Sequence, residues 1–239
     1  MIGDVRGPSP EPQIEAATLG SRTIGLVSEV DSFALEPARA HAVAETTALL
    51  EGAGHRIIDI PFTRLAPLVS IGKRAFDRII YASMAATFQD VRLNEDKIEP
   101  LTRAALNRGR AMEVGDLWIT MHEGVLAAHA MWHIFDEVDI LLTPMLAHKP
   151  PKLGSFPTDH DDIEAHWDRM IAFAPLASIA NITGTPALSM PAGADEAGLP
   201  LSVQFIAPMG ADRRLLAIGA TLEALRPWQH KFEIAGLPQ

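Results

Sequence analysis

Residues 21–62 constrain the fold more than any other part of the chain. They hold two short β-prone runs on either side of one helix-length segment. The first run spans Thr23 to Val27. Glu36-Pro37 then places proline at a first helical position, where its missing N–H costs nothing. The segment to Leu50 reads as helix, with Val43, Thr47 and Leu50 on one face, and the glycines of EGAGH (51–55) stop it. RIIDIPF (56–62) reads as a second strand. Strand, helix, strand in about 40 residues is a βαβ unit, so the two strands should be parallel with a right-handed crossover.

Residues 63–112 read as mostly helical, with a break near Glu99-Pro100. The clearest helix is 113–135. Val114, Trp118, Met121, Val125, Ala128, Trp132 and Phe135 recur there at spacings of three and four, which predicts one wide stripe facing the core. VDILLTP (138–144) reads as a buried strand ended by Pro144, and a Pro-, Lys- and Asp-rich loop follows over 145–162. A helix is expected over 164–180. PALSMP (186–191) and LPLSVQFIAP (199–208), joined by AGADEAG, predict a hairpin around a buried first strand, and a last helix covers 212–225. The fold class expected is α/β, a mixed β-sheet flanked by helices. A linker is expected over 1–20, then the βαβ unit (21–62), a helical region (63–137) and a strand, hairpin and helix region (138–239).

Composition narrows the function. The net charge of −10 argues against nucleic acid or an anionic membrane surface as partner, since both select a basic face. With no cysteine there is neither a disulfide nor a thiolate site, which fits a cytoplasmic protein. No apolar run reaches the roughly 18 residues of a spanning helix. The N-terminal MIGDVRGPSPEPQ lacks the charged and apolar regions of a secretory signal.

Few residues suggest chemistry. Ser189 lies in ALSMP rather than G-x-S-x-G, and its alternation with Ala187 and Leu188 suits a strand residue more than a nucleophile. His122, His129 and His133 sit at i, i+7 and i+11, within about 40° of one another on a helix. The i, i+4 pair His129 and His133 could chelate a metal, but HAMWH lacks the glutamate of H-E-x-x-H, and histidines bordering a core stripe are the plainer reading. TDHDDIEAH (158–166) has potential ligands without calcium-loop spacing and reads as a solvated loop. No Walker or dinucleotide-binding glycine motif is present. These residues alone define an α/β domain without an active site.

The block from Phe173 to Trp228 adds more. Its NITGTPA turn and strand, PAG exit, GLP hairpin, VQF strand and final helix leading to Pro227-Trp228 closely resemble the C-terminal end of the amidase signature family. DILLTPML (139–146) is similar to the family strand that ends in Thr-Pro. Residues 21–57 are similar to the βαβ after its catalytic core, and GDVRGPSPEP to the linker between them. Ser202 departs from a position that is more often glycine. The resemblance implies amide hydrolysis by a Ser–cis-Ser–Lys triad. That triad lies upstream of the matched region: the chain has no Ser-Ser pair and no Gly-rich serine loop.

The resemblance therefore implies a C-terminal amidase half with no catalytic residue and no cofactor of its own. Its partner would be an N-terminal half or a second copy, and the intact enzyme would act on a small amide. Thr143, Asn181, Thr183 and Gly184 are the candidate substrate-facing residues. Two alternatives stand beside this: a non-catalytic subunit or remnant that binds another chain, and a metal-dependent enzyme built on His122, His129 and His133.

Overall fold

A computed structural model describes residues 20–30, 33–94 and 97–228. Most of the linker expected over 1–20 therefore lies outside the described residues. The first strand, β1 (Thr23–Leu26), leads into α1 (Pro37–Gly52) and β2 (Arg56–Asp59). β1 and β2 pair in parallel, with Thr23 opposite Arg56 and Leu26 opposite Asp59, so the expected βαβ unit forms. β2 is shorter than the sequence suggested. Pro61, which cannot donate to a ladder, precedes a short 3₁₀ turn at Phe62–Arg64.

Three helices follow: α2 (Ala66–Thr87), α3 (Pro100–Arg110) and α4 (Val114–Phe135). α2 and α3 touch closely because Gly109 has no side chain. A Cβ there would lie 1.9 Å from the carbonyl oxygen of Tyr81. Then come β3 (Ile140–Pro144), α5 (Ile163–Phe173), α6 (Ala177–Thr183), β4 (Ala187–Ala194), β5 (Pro200–Ile206) and α7 (Asp212–Leu225). The single helix expected over 164–180 is two helices. Pro175 disfavours helical geometry at Ala174, which turns to φ −134° and ψ 67°.

The five strands run β2-β1-β3-β5-β4. β3 pairs in parallel with β1 and antiparallel with β5, and the expected β4–β5 hairpin closes that side. The sheet is therefore mixed, as the sequence suggested, and helices cover both faces. On one face Ile24, Ile140, Leu142, Val203 and Phe205 pack with residues of α1 and α7. On the other, Val27, Leu141 and Ile206 pack with α2, α4 and α6. No described helix is long and apolar enough to cross a membrane.

Two further expectations are corrected. β4 is an edge strand rather than a buried one. Met190 and Ala192 point into the core, while Ala187, Ser189 and Pro191 are exposed. The larger correction concerns α4. Its buried face is Thr120, Gly124, Ala127, Met131 and Ile134. Most of the stripe expected to face the core faces outward, with Val114 87% exposed, Trp118 74% and Val125 65%, while Phe135 at its end packs on the core. α4 is apolar on both faces, so periodicity alone does not choose between them. Small residues decide it by allowing close approach. A Cβ on Gly124 would already lie 3.1 Å from Ile182 Cδ1.

Two outcomes are expected. In urea melts of the dissociated chain, Met131→Ala should cost about 2–5 kcal/mol, while Val125→Ala should change stability by no more than about 0.5 kcal/mol. Equal costs would return the outward stripe to the core. Tyr81 is the sole tyrosine, and burial pushes its phenol up to about 12. The unfolded phenol releases its proton near pH 10, before the folded one. Stability should therefore fall as pH rises from about 10 to about 12 and level off above that. Tyrosinate absorbance of the folded chain reads this directly, and a midpoint near 10 would mean an open phenol.

Candidate functional site

β3, β5 and β4 carry a short polar row across one sheet face. Thr143 lies opposite Gln204, and Gln204 opposite Ser189. Directly opposed residues share a face, so the three side chains stand side by side, next to Leu141 and Ile206. Thr143 is 1% exposed and Gln204 3%, whereas Ser189 is open on the edge strand. The Thr143 hydroxyl donates to the carbonyl of Pro144 at 3.1 Å. Gln204 Oε1 has no hydrogen-bond partner among the described residues.

Thr183 and Gly184 lie where the chain leaves α6 for β4. The Thr183 hydroxyl donates to the Ile179 carbonyl at 2.7 Å and so has no proton left for Thr185, 2.9 Å away. Thr185 must therefore donate to Thr183. This fixed pair anchors the last turn of α6. Gly184 ends the helix at φ +67°, ψ 19°, a left-handed conformation that costs other residues more. Asn181 is exposed on the final turn. Thr143 thus joins the sheet row, and Thr183 and Gly184 shape the turn into β4.

Gln204 was not among the candidates from sequence. Its signal was a lone amide within the apolar run LSVQFI, and its meaning needed the register that sets it between two hydroxyls. The row offers hydrogen bonds but no acid–base pair. Among the described residues no group hydrogen-bonds the Ser189 hydroxyl. The histidines are not gathered either. His122, His129 and His133 are all exposed; the last two rings meet edge to face at 4.7 Å, and His133 Nδ1 lies 3.3 Å from Asp136. In the 158–166 segment Asp162 caps α5 by accepting from the Ala165 N–H at 3.1 Å. No group of three or more His, Asp or Glu among the described residues is placed to hold a metal.

The sequence model of the amidase family matches residues 8–216. A putative amidase of Mycobacterium tuberculosis, AmiB2, is 28% identical over 194 residues, covering 80% of this chain and 40% of that protein. The 2-amino-5-chloromuconic acid deaminase of Comamonas testosteroni is 28% identical over 222 residues, covering 91% of this chain and 45% of the relative. The structure of 6-aminohexanoate cyclic dimer hydrolase superposes with a TM-score of 0.80 at 23% identity, covering 95% of this chain and 50% of that one. A bacterial aryl acylamidase of the amidase signature family gives 0.67 at 19% identity, covering 87% of this chain and 44% of the other. The chain spans about half the length, or less, of these proteins.

A buried amide oxygen without a donor carries a desolvation cost of about 1–3 kcal/mol. Gln204→Met keeps the shape and removes the oxygen, so it should stabilise the isolated chain by about 1 kcal/mol in a urea melt. A loss of similar size would mean that the amide is satisfied within this chain.

Proposed function

This chain belongs to the amidase family, and from that premise we propose that it is the C-terminal part of a carboxamide hydrolase. In this reading the serine nucleophile, its cis-serine neighbour and the lysine base sit on an N-terminal part. The present chain completes the sheet and forms one wall of the cavity for a small amide. Thr143, Gln204 and the Thr183–Gly184 turn would border that cavity, with Asn181 at its rim. Gln204 Oε1 would receive a donor from the other part or from the substrate.

The uncovered face of α4 carries this proposal. Val114, Trp118, Ile119, Met121, Val125, Leu126 and Trp132 are each at least 47% exposed on one helix. An apolar patch of several hundred Å² marks an interface. At about 25 cal/mol per Å², each 400 Å² left in water gives up on the order of 10 kcal/mol, comparable to the whole stability of a domain. The edge of β4 adds to this, because among the described residues it pairs only with β5, and an unpaired edge is a template for another strand. The span of about half the relatives' length supports the same reading.

Two measurements test the reading. The isolated chain should not hydrolyse simple aryl or aliphatic amides above background, and turnover abolished by Ser189→Ala would overturn the proposal. In sedimentation equilibrium at micromolar concentration the chain should self-associate, and Trp118→Gln with Val125→Gln should weaken that association at least about tenfold, or about 1.4 kcal/mol. A monodisperse wild-type monomer with a sharp thermal transition would sink the fragment argument.

A further inference from the structure

Between α2, α3, α4 and the start of α5 lies an open cavity of about 420 Å³, lined by charged side chains of both signs. Pockets for small ligands begin near about 300 Å³. Asp77, Arg78, Tyr81, Arg108, Asp116 and Glu164 contribute to its wall. Most charged side chains on a protein surface are solvated or paired, and Arg74, also on this wall, is committed: it donates to Glu123 at 2.9 Å and to the Ser70 carbonyl at 3.2 Å. Three of its neighbours are not.

Arg78 uses one N–H, which it donates to Thr120 Oγ1 at 3.1 Å. Thr120 is fully buried and donates its own proton to the Asp116 carbonyl at 2.8 Å, so α4 holds the guanidinium in place. The other N–H groups of Arg78 remain available. Tyr81 Oη accepts from the Trp167 indole N–H at 2.8 Å, which leaves the phenol proton free to donate. Asp77 Oδ1 is shielded from solvent and has no hydrogen-bond partner among the described residues. Burial lifts the Asp77 carboxyl above the ordinary carboxylate range; the backbone N–H of Arg78 and the charges of Arg78 and Lys73 oppose this, and nearby Glu164 adds to it. Arg108 contacts Glu164 at 3.4 Å on the exposed rim.

The wall thus presents unused donors on Arg78 and Tyr81 and, close to them, an unpartnered carboxylate oxygen on Asp77 with Glu164 nearby. Opposite charges in one half-buried site favour a ligand that carries both. We propose that this cavity binds a small zwitterionic amino carboxylate. Its carboxylate is held by Arg78 and the Tyr81 hydroxyl, and its ammonium group by Asp77 with Glu164 nearby. A ligand with a single charge would engage only the donors or only the carboxylates.

Equilibrium dialysis of the full chain tests this without reference to amide hydrolysis. The probes are β-alanine, 4-aminobutanoate and 5-aminopentanoate, with pentylamine and pentanoate as single-charge controls. At least one amino carboxylate should bind saturably at one equivalent, with Kd of about 1 mM or tighter, and at least about tenfold tighter than either control. Asp77→Asn and Arg78→Gln should each weaken it about tenfold, and Ser189→Ala should leave it unchanged. Circular dichroism melts check that the variants fold. If a buried-site variant unfolds, the rim variants Arg108→Gln and Glu164→Gln take its place and should weaken binding about threefold or more, or about 0.7 kcal/mol. The proposal is overturned if no amino carboxylate binds, if the controls bind equally well, or if folded variants bind like the wild type.

Discussion

The fold hangs on β3. Ile140, Leu141 and Leu142 are fully buried, with side chains that alternate between two cores. β3 is also the seam of the sheet, pairing in parallel with β1 and antiparallel with β5. A strand buried on both faces must be apolar throughout, and ILLTP meets that requirement with one exception. The exception is Thr143, which places a hydroxyl where the apolar face meets the polar row. Removing β3 would separate the βαβ unit from the hairpin and divide both cores.

Small residues set how closely the helices approach one another. Gly109 lets α3 lie against the carbonyl of Tyr81, and Gly124 lets α4 lie against Ile182. Gly72 does the same between α2 and Ser178, where a Cβ would be 2.5 Å from the hydroxyl oxygen. Close approach in turn fixes where charged groups sit. α2 brings Asp77, Arg78 and Tyr81 along one side of the charged cavity because α3 and α4 press against it. Trp167 on α5 then orients the phenol from the other side.

The same choice leaves α4 with its bulky residues outward. The outward face of α4 and the open edge of β4 are two expressions of one condition: apolar and backbone surface without a cover among the described residues. The polar row of Thr143, Gln204 and Ser189 lies toward that open edge. The Gln204 amide oxygen in that row has no donor among the described residues.

Much of this was legible in the sequence. The βαβ unit, the strand at 140–144, the hairpin and the last helix follow from local signals: proline at a helix start, glycines at its end, and alternation in strands. Those signals act within a few residues, so no tertiary context is needed to read them. The family resemblance rested on residues 173–228 for the same reason, as an ordered series of local turns. What only the tertiary structure decided are the choices between equivalent local options. Both faces of α4 are apolar, and only packing against α2 and α6 selected the small-residue face. The Ala174-Pro175 break separated two helices that periodicity had joined. β4 became an edge because strand order depends on long-range pairing. Gln204, the Asp77 carboxyl and the Tyr81 phenol are ordinary residues in the sequence. Burial, register and the lack of a partner distinguish them, and those are properties of residues distant along the chain that folding brings together.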